Sequence, residues 1–331
     1  MPTILRYALL TLLISFASFA ADSLLVYQGT SGPGKGKHIV LIAGDQEYRS
    51  EEAIPMLARI LAERHGFKCT VLFSIDPQTG GINPAVTGNI PGLEALRTAD
   101  LAVFFLRWLE LPDQQMKEII DYTNSGKPIV ALRTSTHPFR YVKGLDSPYA
   151  KYDWKSKQME GGYGRQVLGE TWVRHYGAHQ KESTRGVAAP GMEKHPILKG
   201  ATEIWGESDV YEVTTLSGDS KPILMGQVLT GMEQSSPPNT AKKLMPIAWI
   251  KSYTGDSGKK SRIFTTTMGH AKDFNNEGFR RIVVNACYWG MGMESKIPAK
   301  SNVEPASAYD PNPIGEGKYK PGLKVSDFKS R

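Results

Sequence analysis

Cysteine is almost missing: Cys69 and Cys287 are the only two in 331 residues. No Cys-x-x-Cys and no Cys/His spacing of the zinc-binding kind exists, so the cysteines imply no cofactor. One lies in an apolar run of strand type and the other in a helix-periodic run, which suits two buried thiols as well as a disulfide. No apolar run is long enough to span a membrane comfortably. The net charge of +7 is dispersed along the chain. Basic residues are neither gathered on a helix nor interleaved with aromatics, which argues against nucleic acid as a partner. Internal repeats are also lacking, which argues against solenoids and propellers. What remains is an ordinary globular composition, enough for one large domain or two small ones.

The first twenty residues stand apart. Arg6 precedes an apolar stretch from Tyr7 to Phe16, and Ser18-Phe19-Ala20 places small residues at −3 and −1 of a cleavage site. This reads as a signal peptide over residues 1–20, cut after Ala20, which sends the chain to the periplasm or outside the cell without a membrane span. Residues 21–36 read as a Gly/Ser linker and 37–293 as the folded domain. Within it, 140–207 read as an insertion. Residues 294–331 are rich in Pro, Lys and Ser without periodicity, an extended and loosely packed tail.

The domain alternates strands and helices. His38–Ala43 is an apolar strand, and Ser50–Arg64 carries apolar residues at helical spacing, with Ser50 as N-cap. Lys68–Phe73 is the next strand, which makes a parallel βαβ unit. After a Gly/Pro/Asn-rich loop come the strand Asp100–Leu106, a helix from Pro112 to Asn124 and the strand Ile129–Leu132. Further strands are read at Ser208–Val213, Pro222–Met225, Pro246–Ile250 and Arg262–Thr267, before a last helix, Asn276–Trp289. The expected fold is α/β, with a mostly parallel sheet between helical layers. Residues 140–207, rich in Tyr, Trp, Gly and His, fold over its carboxyl edge.

In open α/β sheets ligands gather beyond the carboxyl ends of strands. Those ends carry Asp45, Glu47 and Tyr48, then Arg107, then Arg133-Thr134-Ser135-Thr136-His137, and finally Gly269-His270. Gly126-Lys127-Pro128 through Arg133 fits the frame in which class I glutamine amidotransferases present their cysteine nucleophile. Here Arg133 occupies that place, and a guanidinium cannot be deprotonated to attack a carbonyl. Lys272 stands where the glutamate partner of the amidotransferase histidine would be. Glutamine hydrolysis is excluded.

The same residues resemble the trehalose-utilisation (ThuA-like) family. The resemblance rests on the strand running into Gly44-Asp45, the turn Arg133–Phe139 and His195-Pro196-Ile197 with Lys199-Gly200. It extends through Gly269-His270, Phe279-Arg280-Arg281, Asn285-Ala286 and Trp289-Gly290. Family members often carry His where this chain has Arg133. The resemblance implies a flavodoxin-like, class I glutamine-amidotransferase-like three-layer sandwich without the nucleophile. It also implies a role with trehalose or oxidised (3-keto) sugars.

On this reading the catalytic candidates are His270 and His137 for proton transfer, with Asp45 and Glu47 as acids or hydroxyl anchors. Arg133 and Arg107 are candidate oxyanion donors, and Tyr48, Thr134, Asp209 and Tyr211 candidate sugar contacts. His175 and His179, spaced i, i+4, would share one face of a helix and could hold a divalent metal. His38, His65 and His195 read as structural. The reaction would be hydrolysis, elimination or isomerisation of a keto-sugar or glycoside. The alternatives are a non-catalytic carbohydrate-binding protein and a metal-dependent hydrolase. Oligomeric state, including a homo-oligomer, is left open.

Overall fold

Alternation along one central strand sets the layers. In the computed structural model, which describes residues 24–329, strand β2 (His38–Gly44) is buried along its whole length. Its side chains point alternately to opposite faces. Ile39, Leu41 and Ala43 enter one apolar cluster with helix α1 (Ser50–Glu63) and helix α3 (Glu277–Gly290). Val40 and Ile42 enter the other cluster, with helix α2 (Asp113–Asn124). An unbroken apolar strand is therefore a strand covered on both sides, and the three-layer α/β sandwich follows from it.

Five parallel strands form the centre in the order β3-β2-β4-β5-β12: Lys68–Phe73, His38–Gly44, Leu101–Leu106, Ile129–Leu132 and Lys260–Thr266. Antiparallel strands extend this centre on both sides. Beside β3 lies β1 (Leu25–Gln28). Beyond β12 come β11 (Met245–Thr254), β10 (Lys221–Val228), β7 (Thr184–Ala188) and β8 (Trp205–Gly206). Asn276 starts α3, its side chain accepting from the Phe279 amide at 2.8 Å. Ser50, expected as a cap, is instead the first residue of α1 and follows Arg49 in the left-handed region.

Three expectations change. The linker read at 21–36 contains an edge strand, and Gly29 and Gly34 donate to Phe67 O and His65 O. The insertion covers only part of the carboxyl edge. Its second half supplies β7 and β8 to the sheet, while β6 (His175–Tyr176) pairs with β9 (Val210–Tyr211) in a separate ribbon. The tail is irregular but firmly seated. Val303, Leu323 and Val325 are buried, and Leu323 O accepts from the Ile82 amide. Tyr309 donates to Ala271 O, and Asn312 donates to Glu52.

Cys69 and Cys287 are both buried and free, and burial pushes both thiols up. His38 and His65 are structural, each bridging two oxygens in the core, and His195 accepts from the Ile197 amide in its turn. Among the described residues no helix is long and apolar enough to cross a membrane. The proposed signal peptide lies outside the described residues.

Candidate functional site at the carboxyl edge

Backbone strain marks the strand ends. Non-glycine residues rarely enter the left-handed region, yet Trp108 (φ 48°) follows β4, Arg133 (φ 47°) follows β5 and Arg49 (φ 61°) precedes α1. Arg133 sits on a strand-to-helix elbow of the kind that presents nucleophiles. Its side chain turns inward and has no exposed surface. It donates to Ser208 Oγ at 3.1 Å, to Thr267 O at 3.0 Å and to Asp209 O, and its guanidinium lies 4.2 Å from the Tyr48 ring centroid and 4.6 Å from that of Tyr211. A cation this enclosed is held by aromatic faces and carbonyls. It fixes the site's frame through Nη1, while Nε and Nη2 make no hydrogen bond and are shielded from solvent.

Asp45 is likewise committed to the protein. Its Oδ1 accepts from the amides of Glu47 (2.8 Å) and Tyr48, and its Oδ2 accepts from Thr134 Oγ1 at 2.7 Å. It is fully buried, a staple between the loops after β2 and β5. In this arrangement neither Asp45 nor Thr134 can act as acid or sugar contact. Glu47, one turn further out, stays partly exposed. It pairs with Arg107 Nη2 at 3.0 Å, and Arg107 is also held by Gln46 and by Glu316 of the tail. Burial raises the Glu47 carboxyl, and Arg107 offsets part of that rise.

Asp209 is the hub of the ionisable groups. It is 1% exposed. His175 Nδ1 lies 2.6 Å from its Oδ2, His179 Nδ1 lies 2.8 Å from its Oδ1, and Arg133 Nη2 lies 3.6 Å from that same Oδ1. Burial alone would raise this carboxyl, but the two imidazoles and Arg133 hold it well below the usual range. The expected helix over 175–179 does not form, because Gly177 turns the chain at φ 113°. The β6–β9 ribbon sets His175 opposite Tyr211, and the turn brings His179 back to it, with ring centroids 4.6 Å apart. These histidines and Asp209 are a cluster able to hold a metal.

His137 forms the floor of an aromatic basin. The rings of Trp108, Trp172 and Tyr211 lie 5.6–5.7 Å from it, and Trp154 lies 6.2 Å away. The three tryptophans are half-buried. Trp172 also touches His175, at 5.9 Å between centroids, so basin and cluster are continuous. His137 itself is nearly enclosed, and burial together with Arg107 and Arg133 drives its pKa well below the ordinary value. His270 is 2% exposed, its Nε2 has no hydrogen-bond partner, and burial and Arg133 keep it neutral. It lines a neighbouring cleft of ≈ 580 Å³ with Glu207, Asp209, Lys272 and, from the tail, Ile314 and Lys318. A second cleft, between α1 and the tail, contains none of the strand-end residues.

The family profile for trehalose utilisation, ThuA, matches residues 39–290. The chain belongs to the ThuA family. A ThuA-like protein from Parabacteroides merdae has the same fold: 14% identity, 86% of this chain and 96% of that one covered, TM-score 0.51. A ThuA-like protein from Bacteroides uniformis is also similar, at 12% identity over 80% of this chain and 94% of that one, with a TM-score of 0.46. Among curated proteins none matches in sequence. Membership of a trehalose-utilisation family ties the chain to carbohydrate metabolism.

In this ThuA-family protein all twelve expected residues lie at or beside the carboxyl edge, but on different footings. Glu47, His175 and His179 keep exposed surface; Arg107 and Tyr211 back them; Asp45, Tyr48, Thr134 and Arg133 are enclosed. The sequence assigned no role to Trp108, Trp154 and Trp172, although for the last two the tryptophan-rich texture of 140–207 was the available signal. It also gave none to Glu316, whose contact with Arg107 had no local pattern to reveal it.

Proposed function

We propose that this ThuA-family protein is exported and acts on a sugar, in keto-sugar or glycoside form, bound against the tryptophan basin. The observation that carries this reading is the continuity of the basin with Glu47, His175 and His179. A pyranose offers an apolar C–H face suited to an indole and a rim of hydroxyls suited to carboxylates and imidazoles. Glu47 is the proton-transfer group. It is the partly exposed carboxylate next to the basin, and its raised pKa moves it toward the range useful for general-base work. Removal of a proton beside a sugar carbonyl, leading to elimination or isomerisation, is the chemistry a lone base there performs best. Export rests on Arg6, the apolar run to Phe16 and Ser18-Phe19-Ala20, and the N-terminal residue of protein recovered from the periplasm should be Ala21.

A second reading, a carbohydrate-binding accessory without turnover, is favoured by one observation. The two histidines that a catalyst would use, His137 and His270, are nearly fully enclosed. Trehalose, 3-keto-trehalose and 3-keto-glucosides, titrated while tryptophan fluorescence and product are followed, separate the readings. The Trp172→Ala variant should bind about 10-fold or more weakly, the order of a lost aromatic platform. The Glu47→Gln variant should keep binding and lose about 10²–10⁴ in rate. Binding without product in the wild type decides for the accessory role. Unchanged binding in Trp172→Ala removes the basin from the account.

A further inference from the structure

We propose that His175, His179 and Asp209 bind one divalent transition-metal ion at the rim of the aromatic basin. The proposal deepens the carbohydrate reading of that basin: an ion here would face the hydroxyl and carbonyl oxygens of a bound sugar. The donor atoms of the three residues lie within 4.8 Å of one another. Two imidazoles and one carboxylate with open positions suit zinc, iron(II), manganese or nickel better than calcium or magnesium.

The local fold is arranged around this convergence. One buried carboxylate receives two imidazoles, at 2.6 and 2.8 Å. Ligand atoms around an ion at roughly 2.0–2.2 Å stand about 3 to 3.5 Å apart, so these two gaps need widen by less than about 1 Å. Asp209 cannot swing away, since Arg133 is held by its carbonyl and lies beside its Oδ1. His175 and His179 remain about one-third exposed on the opposite side, which leaves a path for an ion and a ligand. Gln180, immediately after His179, takes the left-handed region at φ 59°, a backbone cost of the kind that concentrates at functional turns.

Charge agrees with this. Asp45, Glu47 and Glu316 act on Arg107, and Asp209 and Asp273 act on Arg133. The guanidiniums nearest the cluster are therefore offset by carboxylates. Without the ion, each Nδ1–H donates to Asp209. On binding, each ring would turn its Nδ1 lone pair to the ion and donate from Nε2 instead. The Nε2 of His179 then faces Glu47 Oε1, 3.9 Å away, the outer carboxylate partner that metal-bound histidines commonly have.

The test uses untagged full-length protein stripped with a chelator and titrated calorimetrically with Zn²⁺ and Mn²⁺ alone. Co²⁺ serves as a probe whose visible absorption reports imidazole ligation. One ion per chain is expected, and His175→Ala and His179→Ala should each weaken binding by about 100-fold or more. Both histidines are about one-third exposed, so circular dichroism should find both variants folded. No binding by the wild type, or equal affinity in the His175→Ala/His179→Ala double variant, overturns the proposal. Sugar binding by the stripped protein is read separately from tryptophan fluorescence, so a failed metal site leaves the basin's test untouched.

Discussion

Replacing Asp209 by Asn tests whether this carboxylate organises the site. The change keeps the shape and one acceptor oxygen, and removes the charge. One imidazole loses a charge-assisted hydrogen bond, worth about 1.5–3 kcal/mol. Arg133, fully enclosed, loses the carboxylate beside it. Breaking a buried pair from one side costs about 3–5 kcal/mol. Arg133 retains Asp273 nearby and the faces of Tyr48 and Tyr211, and the two losses share one carboxylate, which places the whole effect at the lower end of the buried-pair range, about 3 kcal/mol. That is roughly a 150-fold change in the folded-to-unfolded ratio. Urea unfolding at pH 7 in chelator, with refolding verified and the denaturant slope unchanged, measures it.

The pH dependence supplies a second reading. The folded pKa of Asp209 is depressed, so its stabilisation is complete above the unfolded aspartate value, about 3.9. It is then lost as pH falls toward the folded value. The gap between wild type and Asp209→Asn should stay level from about pH 5 to 8 and narrow below about pH 4. A cost under about 1 kcal/mol at neutral pH, comparable to an exposed pair, refutes the assignment of Asp209 as hub. A gap that does not narrow in acid refutes the depressed pKa.

Two further outcomes follow from packing and burial. A Cβ on Gly164 would lie 1.8 Å from Thr136 O, so Gly164→Ala should cost about 3 kcal/mol and lift the insertion from the end of β5; a melting shift near zero would mean this contact yields easily. Glu51 is buried beside Arg49, and burial, offset by Arg49, pushes its carboxyl up to about 8. A raised carboxyl binds its proton in the fold, so its contribution is lost as pH rises from the unfolded value through about 8. Glu51→Gln should therefore gain on the wild type between pH 6 and 9 in urea titrations, and parallel curves would count against the shift.

The central sheet was readable because burial on both faces leaves unbroken apolar runs, as in Leu101–Leu106 and Ile129–Leu132, each ending abruptly in a polar residue. Strand β1 was not readable, since four residues with Val26 exposed on an edge leave almost no alternation to detect. Position at a strand end picked residues that the fold brings to one edge of the sheet, but could not say which ones face a ligand. Asp45 was misread for that reason: its carboxylate satisfies the amides of its own turn, a use that needs only local backbone. For His175 and His179 the sequence identified a pair and gave the wrong cause, helical spacing, where a glycine turn and a two-residue ribbon bring them together. Tail contacts were illegible because they are single residues reaching single partners, without period.

The seated tail has a consequence for the order of synthesis. Gly315 donates to Glu47 O and accepts from Arg49, and Glu316 holds Arg107. These partners leave the ribosome more than two hundred residues earlier than the segment that clasps them, from Arg107 to Glu316. During elongation the sheet can assemble while Arg107 and Glu47 have only each other and the loop beneath them. The wall shared by Ile314 and Lys318 with His270 closes only once these residues have been added. A nascent chain, or one clipped near residue 310, would thus have an unfinished cleft, so competence for ligand waits on residues 314–318.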